Sequence, residues 1–379
     1  EYIVHKTSAT TTEEFVMTRS SADGVYLLRF NGSSWASDFS TTTTTTNGRT
    51  FDIEVEALSG EVMVVTVPAG TVTAGYRTYN GTWSGWQDVP ADPGSRGPWV
   101  ELVRRPGTNE IALVQATNGL DLFVNIWDGS AWGSTTTLTT NYDNPNIKVF
   151  DAGYESLSGD LLVVWAEGGT NAVGRYAVKP AGQNTFTIYT FDNATNAFFD
   201  DMEEVDLAAD PISDRIALIT EEETDNLGMA MWNGSRWTDE AEPDLALTQN
   251  SSTQFQKGVG WVGGSGIAIG VYRDGSAITS DGLDWVRWGA ASTTEGWVLQ
   301  TDNQLSSILP LDTLETTFQL ETFLNQDKLA LVLATSTGGE LVSATYTDAN
   351  NWAGQASGPL ERALASSAFQ AYGFSPKAT

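Results

Sequence analysis

Two kinds of side chain in this 379-residue sequence could do chemistry: carboxylates and tryptophans. Glu54, Glu56, Glu101, Glu155, Asp206 and Glu321 all fall in extended segments next to a short apolar run. Two carboxyls facing each other across a sugar are the machinery of glycoside hydrolysis, one protonating the leaving oxygen and one acting as base or nucleophile. The same oxygens suit a hard cation such as calcium. Glu54, Glu101, Asp206 and Glu321 are the candidate metal ligands, and no other cofactor is expected. The competing reading is charge on solvated strand ends.

The tryptophans recur around a turn. "RFNGSSW" ends at Trp35, "TYNGTW" at Trp83, "IWDGSAW" at Trp132 and "MWNGSRW" at Trp237, with looser copies ending at Trp285 and Trp352. Rings repeated in this way could stack on sugar faces, or could simply cover hairpins and pack between repeats. Trp35, Trp83, Trp132, Trp237, Trp285 and Trp352, with Trp86 beside them, are the candidate ligand-binding residues.

Other chemistries find no residues. There is no cysteine, so disulfides and thiolate sites are excluded. The single histidine, His5, is a poor base for a Ser-His-Asp triad, and histidine-built zinc sites are unsupported. No glycine-rich phosphate loop occurs. The acidic patches "FFDDMEEVD" (Phe198 to Asp206) and "EEE" (Glu221 to Glu223) lack calcium-loop spacing and read as solvated loops. The net charge of −29 disfavours nucleic acid and anionic membranes as partners. No apolar run reaches the roughly 18 residues of a membrane span, and no signal peptide is recognisable. A start at Glu1 rather than Met suggests processing or a trimmed chain. Asn31, Asn80, Asn193, Asn233 and Asn250 head Asn-x-Ser/Thr sequons, three of them within the Asn-Gly turns.

The elements that would carry these residues form a repeat. Seven short apolar runs start at Phe15, Val62, Ile111, Leu161, Ile216, Ile267 and Leu329, and runs of this length between turn signals are buried strands. An extended segment precedes six of them, and an alternating strand, the Asn/Asp-Gly turn and a Trp strand follow. Four antiparallel strands in roughly fifty residues, seven times over, predict an all-β, seven-bladed β-propeller. The fourth unit departs, with a Pro-Gly-containing loop between Tyr176 and Phe186. Trp288 to Phe318 is expected to carry an inserted loop. The Thr-rich stretches from Ser40 and Ser134 are expected to be strands.

The first unit lacks a recognisable leading strand. "FQAYGFSPKAT", Phe369 to Thr379, is expected to complete it and close the ring, leaving no open edge. On this reading residues 13–379 are one domain and residues 1–12 an extension or linker. "YIVHK" within the extension alternates like a strand. Three readings follow: a remnant of an upstream domain, a strand against its own outermost strand, or a strand added to a neighbouring subunit that builds a homo-oligomer or filament.

The Trp turn resembles the Asp-box turns of sialidase-type propellers, through Ser280, Asp281, Gly282 and Trp285, with one residue missing between Asp and Gly. The box is structural in that family, and its catalytic arginine triad has no assignable counterpart here. The repeat also resembles sugar-binding propeller lectins, whose pockets between blades stack sugars on Trp or Tyr. The leading expectation is a non-catalytic extracellular or cell-surface module for adhesion, structure or interaction, with glycans or other surface proteins as partners. The alternatives are a carbohydrate-binding lectin, and a glycoside hydrolase or lyase using the clustered acids.

Overall fold

The computed structural model describes residues 2–7, 13–19, 24–43, 48–90, 94–169, 173–191, 199, 202–222, 226–244, 257–273, 283–289, 296–300, 305, 315–323, 327–335, 341–348, 351–354 and 370–371. Their regular structure is almost wholly β. Seven antiparallel sheets follow one another along the chain, six of four strands and the first of five, each containing four consecutive strands hydrogen-bonded in chain order. These are the blades of a seven-bladed β-propeller, spanning residues 2–42, 51–88, 99–139, 150–190, 202–244, 257–299 and 315–354.

Burial explains why the strands differ in composition. Second strands such as Val62–Thr66 and Ile111–Ala116 are buried at every position, so they read as unbroken apolar runs. Third strands alternate less strictly, as in Leu122–Trp127. Fourth strands face solvent. Thr187–Thr190 is exposed throughout, and the Thr-rich stretches lie in such strands, in Trp35–Thr42 and Thr136–Thr139. One register recurs in six blades: the last residue of strand three pairs with the start of strand two, as in Val62 with Tyr79, Ile111 with Trp127 and Leu161 with Lys179; in the seventh the corresponding pair, Leu329 with Tyr346, lies one residue inside the strand ends.

The N-terminal segment corrects the sequence reading. Tyr2–Thr7 pairs antiparallel with Glu14–Arg19, Lys6 opposite Phe15, and so forms the leading strand of the first blade. It is neither outside the repeat nor set against the outermost strand, Trp35–Thr42. Of Phe369–Thr379, only the two-residue strand Gln370–Ala371 is described. Within the stretch expected to carry an inserted loop, Trp297–Leu299 is the fourth strand of the sixth blade, and most of the remainder lies outside the described residues.

The propeller, expected as one domain, divides into two compact units. The first carries blades one to four, and the second carries blades five to seven together with the turn Glu155–Ser158. In the first unit, Met63, Val65, Leu102, Leu113 and Trp127 pack a core between blades two and three. In the second, Ile219, Met229, Trp261, Tyr272 and Val286 pack blade five on blade six, and Ile269, Trp285, Leu329, Tyr346 and Trp352 pack blade six on blade seven.

Candidate functional site

The turn between strands three and four is an Asx turn. Asn31, Asp128 and Asn233 each accept, on Oδ1, the backbone N–H groups two and three residues on and a serine hydroxyl. Gly32, Gly129 and Gly234 follow with φ of 93°, 96° and 92°, where a side chain is strained. At Asp128 these bonds, that from the Ala131 N–H foremost, hold the carboxyl below its ordinary value. Four residues separate Phe30 from its partner Trp35, and Trp232 from Trp237, so the loop is longer than a two-residue hairpin. The Asx turn sets the return tryptophan beside the ring that ends strand three, with ring centres 5.6 Å apart for Trp127 and Trp132 and for Trp232 and Trp237.

The ring ending strand three was not singled out as a site residue from the sequence, yet it organises the contacts between blades. In five blades this residue bonds to an acid of the preceding blade. The Trp127 indole N–H donates to Glu56 Oε1 at 2.7 Å, and that of Trp232 to Glu155 Oε1. The Tyr79 hydroxyl donates to Glu13 at 2.9 Å, and the Trp288 indole to Asp239 at 3.1 Å. In the fourth blade the position is Lys179, buried and 3.0 Å from Glu110. The turns holding Glu56 and Glu155 are gripped again: Asn109 Oδ1 accepts the N–H groups of Leu58 and Ser59, and Asp214 Oδ1 those of Leu157 and Ser158.

These bonds decide what the candidate acids do. Glu56 and Glu155 are latches, and burial pushes the Glu56 carboxyl up, opposed by the hydrogen bonds from Ser59 and Trp127. Glu54 is buried and accepts the N–H of Val55. Asp206 accepts the N–H of Val259 in the next blade, as Asp52 accepts that of Leu102. Glu101 shares the Lys148 ammonium with Asp151, and burial, followed by the Asp151 charge, raises its pKa well above the ordinary value. The Glu321 side chain lies outside the described residues. Among the described residues, no three His, Cys, Asp or Glu side chains form a group able to hold a metal ion. The acids expected to meet at one site are thus distributed over blade-to-blade contacts.

The tryptophans separate as well. Trp285 and Trp352 are only 4% and 6% exposed and belong to the core of blades six and seven. Trp132 and Trp237 are half-buried behind their hairpins, and Trp35 is exposed against Phe30. Trp83 and Trp86 are different, because they meet Phe39 and Asp38 of the outer strand of blade one at the junction of blades one and two, hereafter the crevice. There the Arg77 guanidinium carbon lies 5.3 Å from the Trp83 ring centre, 5.4 Å from Trp86 and 5.7 Å from Phe39. Arg77 Nε donates to the Ser84 carbonyl at 3.0 Å. The Trp83 indole N–H donates to Asp38 at 2.7 Å, and Asp38 is also held by Arg29 Nε at 2.8 Å. Arg29 in turn bonds Glu13 and lies 5.2 Å from the Tyr79 ring centre. Asp38, the leading cause, holds the Arg29 guanidinium above its ordinary pKa. Trp86 is 44% exposed, so the crevice offers a flat apolar ring beside polar groups.

No family model matches the chain, and no curated protein matches its sequence. Solved structures do match. The BP39L lectin from Burkholderia pseudomallei superposes with a TM-score of 0.63 at 12% identity, over 93% of this chain and 97% of the lectin. A six-bladed lectin from Aleuria aurantia with a novel fucose recognition mode matches with a TM-score of 0.44 at 10% identity, over 94% and 95% of the two chains. The BP39L likeness is one of fold. No sialidase is among the structures named, and Ser280, Asp281 and Gly282 lie outside the described residues. Among the described residues, no helix is long and apolar enough to cross a membrane.

Proposed function

We propose that this chain is a carbohydrate-binding lectin and that the crevice between blades one and two is a saccharide site. The observation that carries this is the set of three rings, Phe39, Trp83 and Trp86, around Arg77, with Trp86 open to solvent. Sugars present an apolar C–H face and a polar hydroxyl rim. A flat indole beside fixed hydrogen-bonding groups recognises both at once. The reading places the sequence's alternative ahead of its leading expectation, with surface adhesion as what glycan binding would accomplish. The chain acts outside the cell, where its ligands are, and without catalysis. Here Trp86 supplies stacking area, Trp83 the inner wall, and Asp38 a fixed acceptor.

The test is a glycan array followed by calorimetric titration of the hits. The expected result is binding to a defined glycan class, lost in Trp86→Ala while the melting temperature stays unchanged. An array without hits, together with unchanged tryptophan fluorescence on adding sugars, would remove the reading.

A further inference from the structure

The seven blades share one register, so equivalent positions can be compared directly. Arg77 lies two residues before the end of its strand three and pairs with Val64. The equivalent residues in the other blades are Leu28, Asn125, Ala177, Ala230, Val286 and Ala344, each two residues before the strand-three residue that pairs at the start of strand two, which in the seventh blade is Tyr346, one short of the strand's end. Five are apolar and one is a neutral amide. Only the second blade places a cation there, and that blade also has Trp86 beside it. A repeat that breaks its own pattern beside an exposed ring is where a functional or a strained position is expected.

The bonding of Arg77 narrows its role. Its Nε donates to the Ser84 carbonyl. It faces no carboxylate within ion-pair distance among the described residues, because Asp38 and Glu13 in the same crevice are engaged by Arg29, Trp83 and Tyr79. The guanidinium is therefore positioned among three rings and one carbonyl, and among the described residues its two terminal nitrogens donate to no side chain or carbonyl. A fixed planar fork of N–H donors matches the two oxygens of a carboxylate or the oxygens of a sulfate, and does so bidentately. A neutral sugar can offer two vicinal hydroxyls to the same fork but leaves the charge to solvent, whereas an anion compensates it directly.

We infer that the crevice selects an anionic saccharide, its carboxylate or sulfate held by Arg77 and its ring stacked on Trp86. This rests on the lectin reading and specifies its ligand class. The chain's charge of −29 opposes such a ligand at long range. At physiological ionic strength, however, the screening length is about 8 Å. Arg29 compensates one of the two nearby acids, Glu13 and Asp38, and hydrogen bonds from Trp83 and Tyr79 hold the remaining negative charge, so an anion reaches Arg77 from the solvent side past a screened residual charge.

The test uses three probes on the full chain by calorimetry: trigalacturonate, its methyl ester, and a sulfated trisaccharide. The ester differs from trigalacturonate by the charge and the methyl groups that cap it. The expected result is that at least one anionic probe binds, and that the ester binds at least tenfold more weakly than the acid if the carboxylate is the group recognised. Arg77→Gln should reduce the anionic probe to the level of the ester or below detection. Arg77→Lys, which keeps the charge and removes the fork, should fall between and guards against a folding failure in the glutamine variant. Trp86→Ala should weaken every probe. Binding of the carboxylate or of the sulfate alone identifies the source and supports the inference. An ester that binds as tightly as either anion, or an Arg77→Gln chain that holds the anion as tightly as the original, overturns the anionic class and leaves the lectin reading standing. Failure of all three probes and of every array glycan overturns both.

Discussion

Trp127 and Trp86 are both tryptophans of the propeller's first unit, and they are used in opposite ways. Trp127 is buried with its ring edge-on to Tyr76 at 5.7 Å and its N–H on Glu56. Its ring edge and its N–H are both taken up by the preceding blade. Trp86 lies edge-on to Phe39 at 5.2 Å and near Arg77, yet keeps 44% of its surface in water. The difference teaches that the repeated Trp turn and the candidate binding site are separate devices. The ring that ends strand three ties blade to blade. The ring available to a ligand appears where one blade departs from the repeat.

The contrast can be broken most directly at Trp127. Trp127→Ala leaves a cavity between blades two and three and strands Glu56, so a loss of about 3–5 kcal/mol in denaturant unfolding is expected. A loss under about 1 kcal/mol would mean that the latch does not hold the blades. Glu56→Ala comes next. It leaves the buried Trp127 N–H without its acceptor, at a cost of about 1–3 kcal/mol.

The pH dependence of the same carboxyl sharpens the comparison further. Burial raises its folded pKa, so the native state binds the proton more readily than the unfolded chain does. The stability of the original chain relative to Glu56→Gln should therefore rise as pH falls through the raised folded pKa, and level off below the ordinary value of 4.5. Matched melting curves of the two proteins from neutral to mildly acidic pH measure the difference. A flat difference, or one that shrinks toward acid, would show that the carboxyl is not desolvated. The smallest expected effect on stability is at Trp86, where Trp86→Ala should shift unfolding by no more than about 0.5 kcal/mol while abolishing saccharide binding.

Much of the fold was legible because it is local. Seven apolar runs, their spacing and the Asn/Asp-Gly turns each follow from a few adjacent residues, and the structure has a sheet wherever they predicted one. The strand Tyr2–Thr7 was misplaced for a local reason too. Its connection to the first apolar run, "SATTT", carries no Gly, Pro, Asn or Asp to announce a turn, and its alternation fits any sheet edge equally well. The site was less legible. Trp83 and Trp86 were among the candidates, but nothing in "TYNGTWSGW" distinguishes them from Trp285 or Trp352. Arg77 was not noticed, because one arginine in a strand carries no signal until the blades are laid in register.

The sequence by itself determined the four-strand repeat, all but the leading strand of the first blade, and the chemistry of the turns, since these depend on alternation and on which residues accept a positive φ. Tertiary structure decided which acids became latches, which rings were buried and which stayed in water. Glu56 and Trp127 are 71 residues apart in the chain, and Asp38 and Trp83 are 45 apart. Whether a carboxylate is a partner, a ligand or a solvated ornament depends on what the packing of one blade on the next places within about 3 Å of it, and no short stretch of sequence contains that distance.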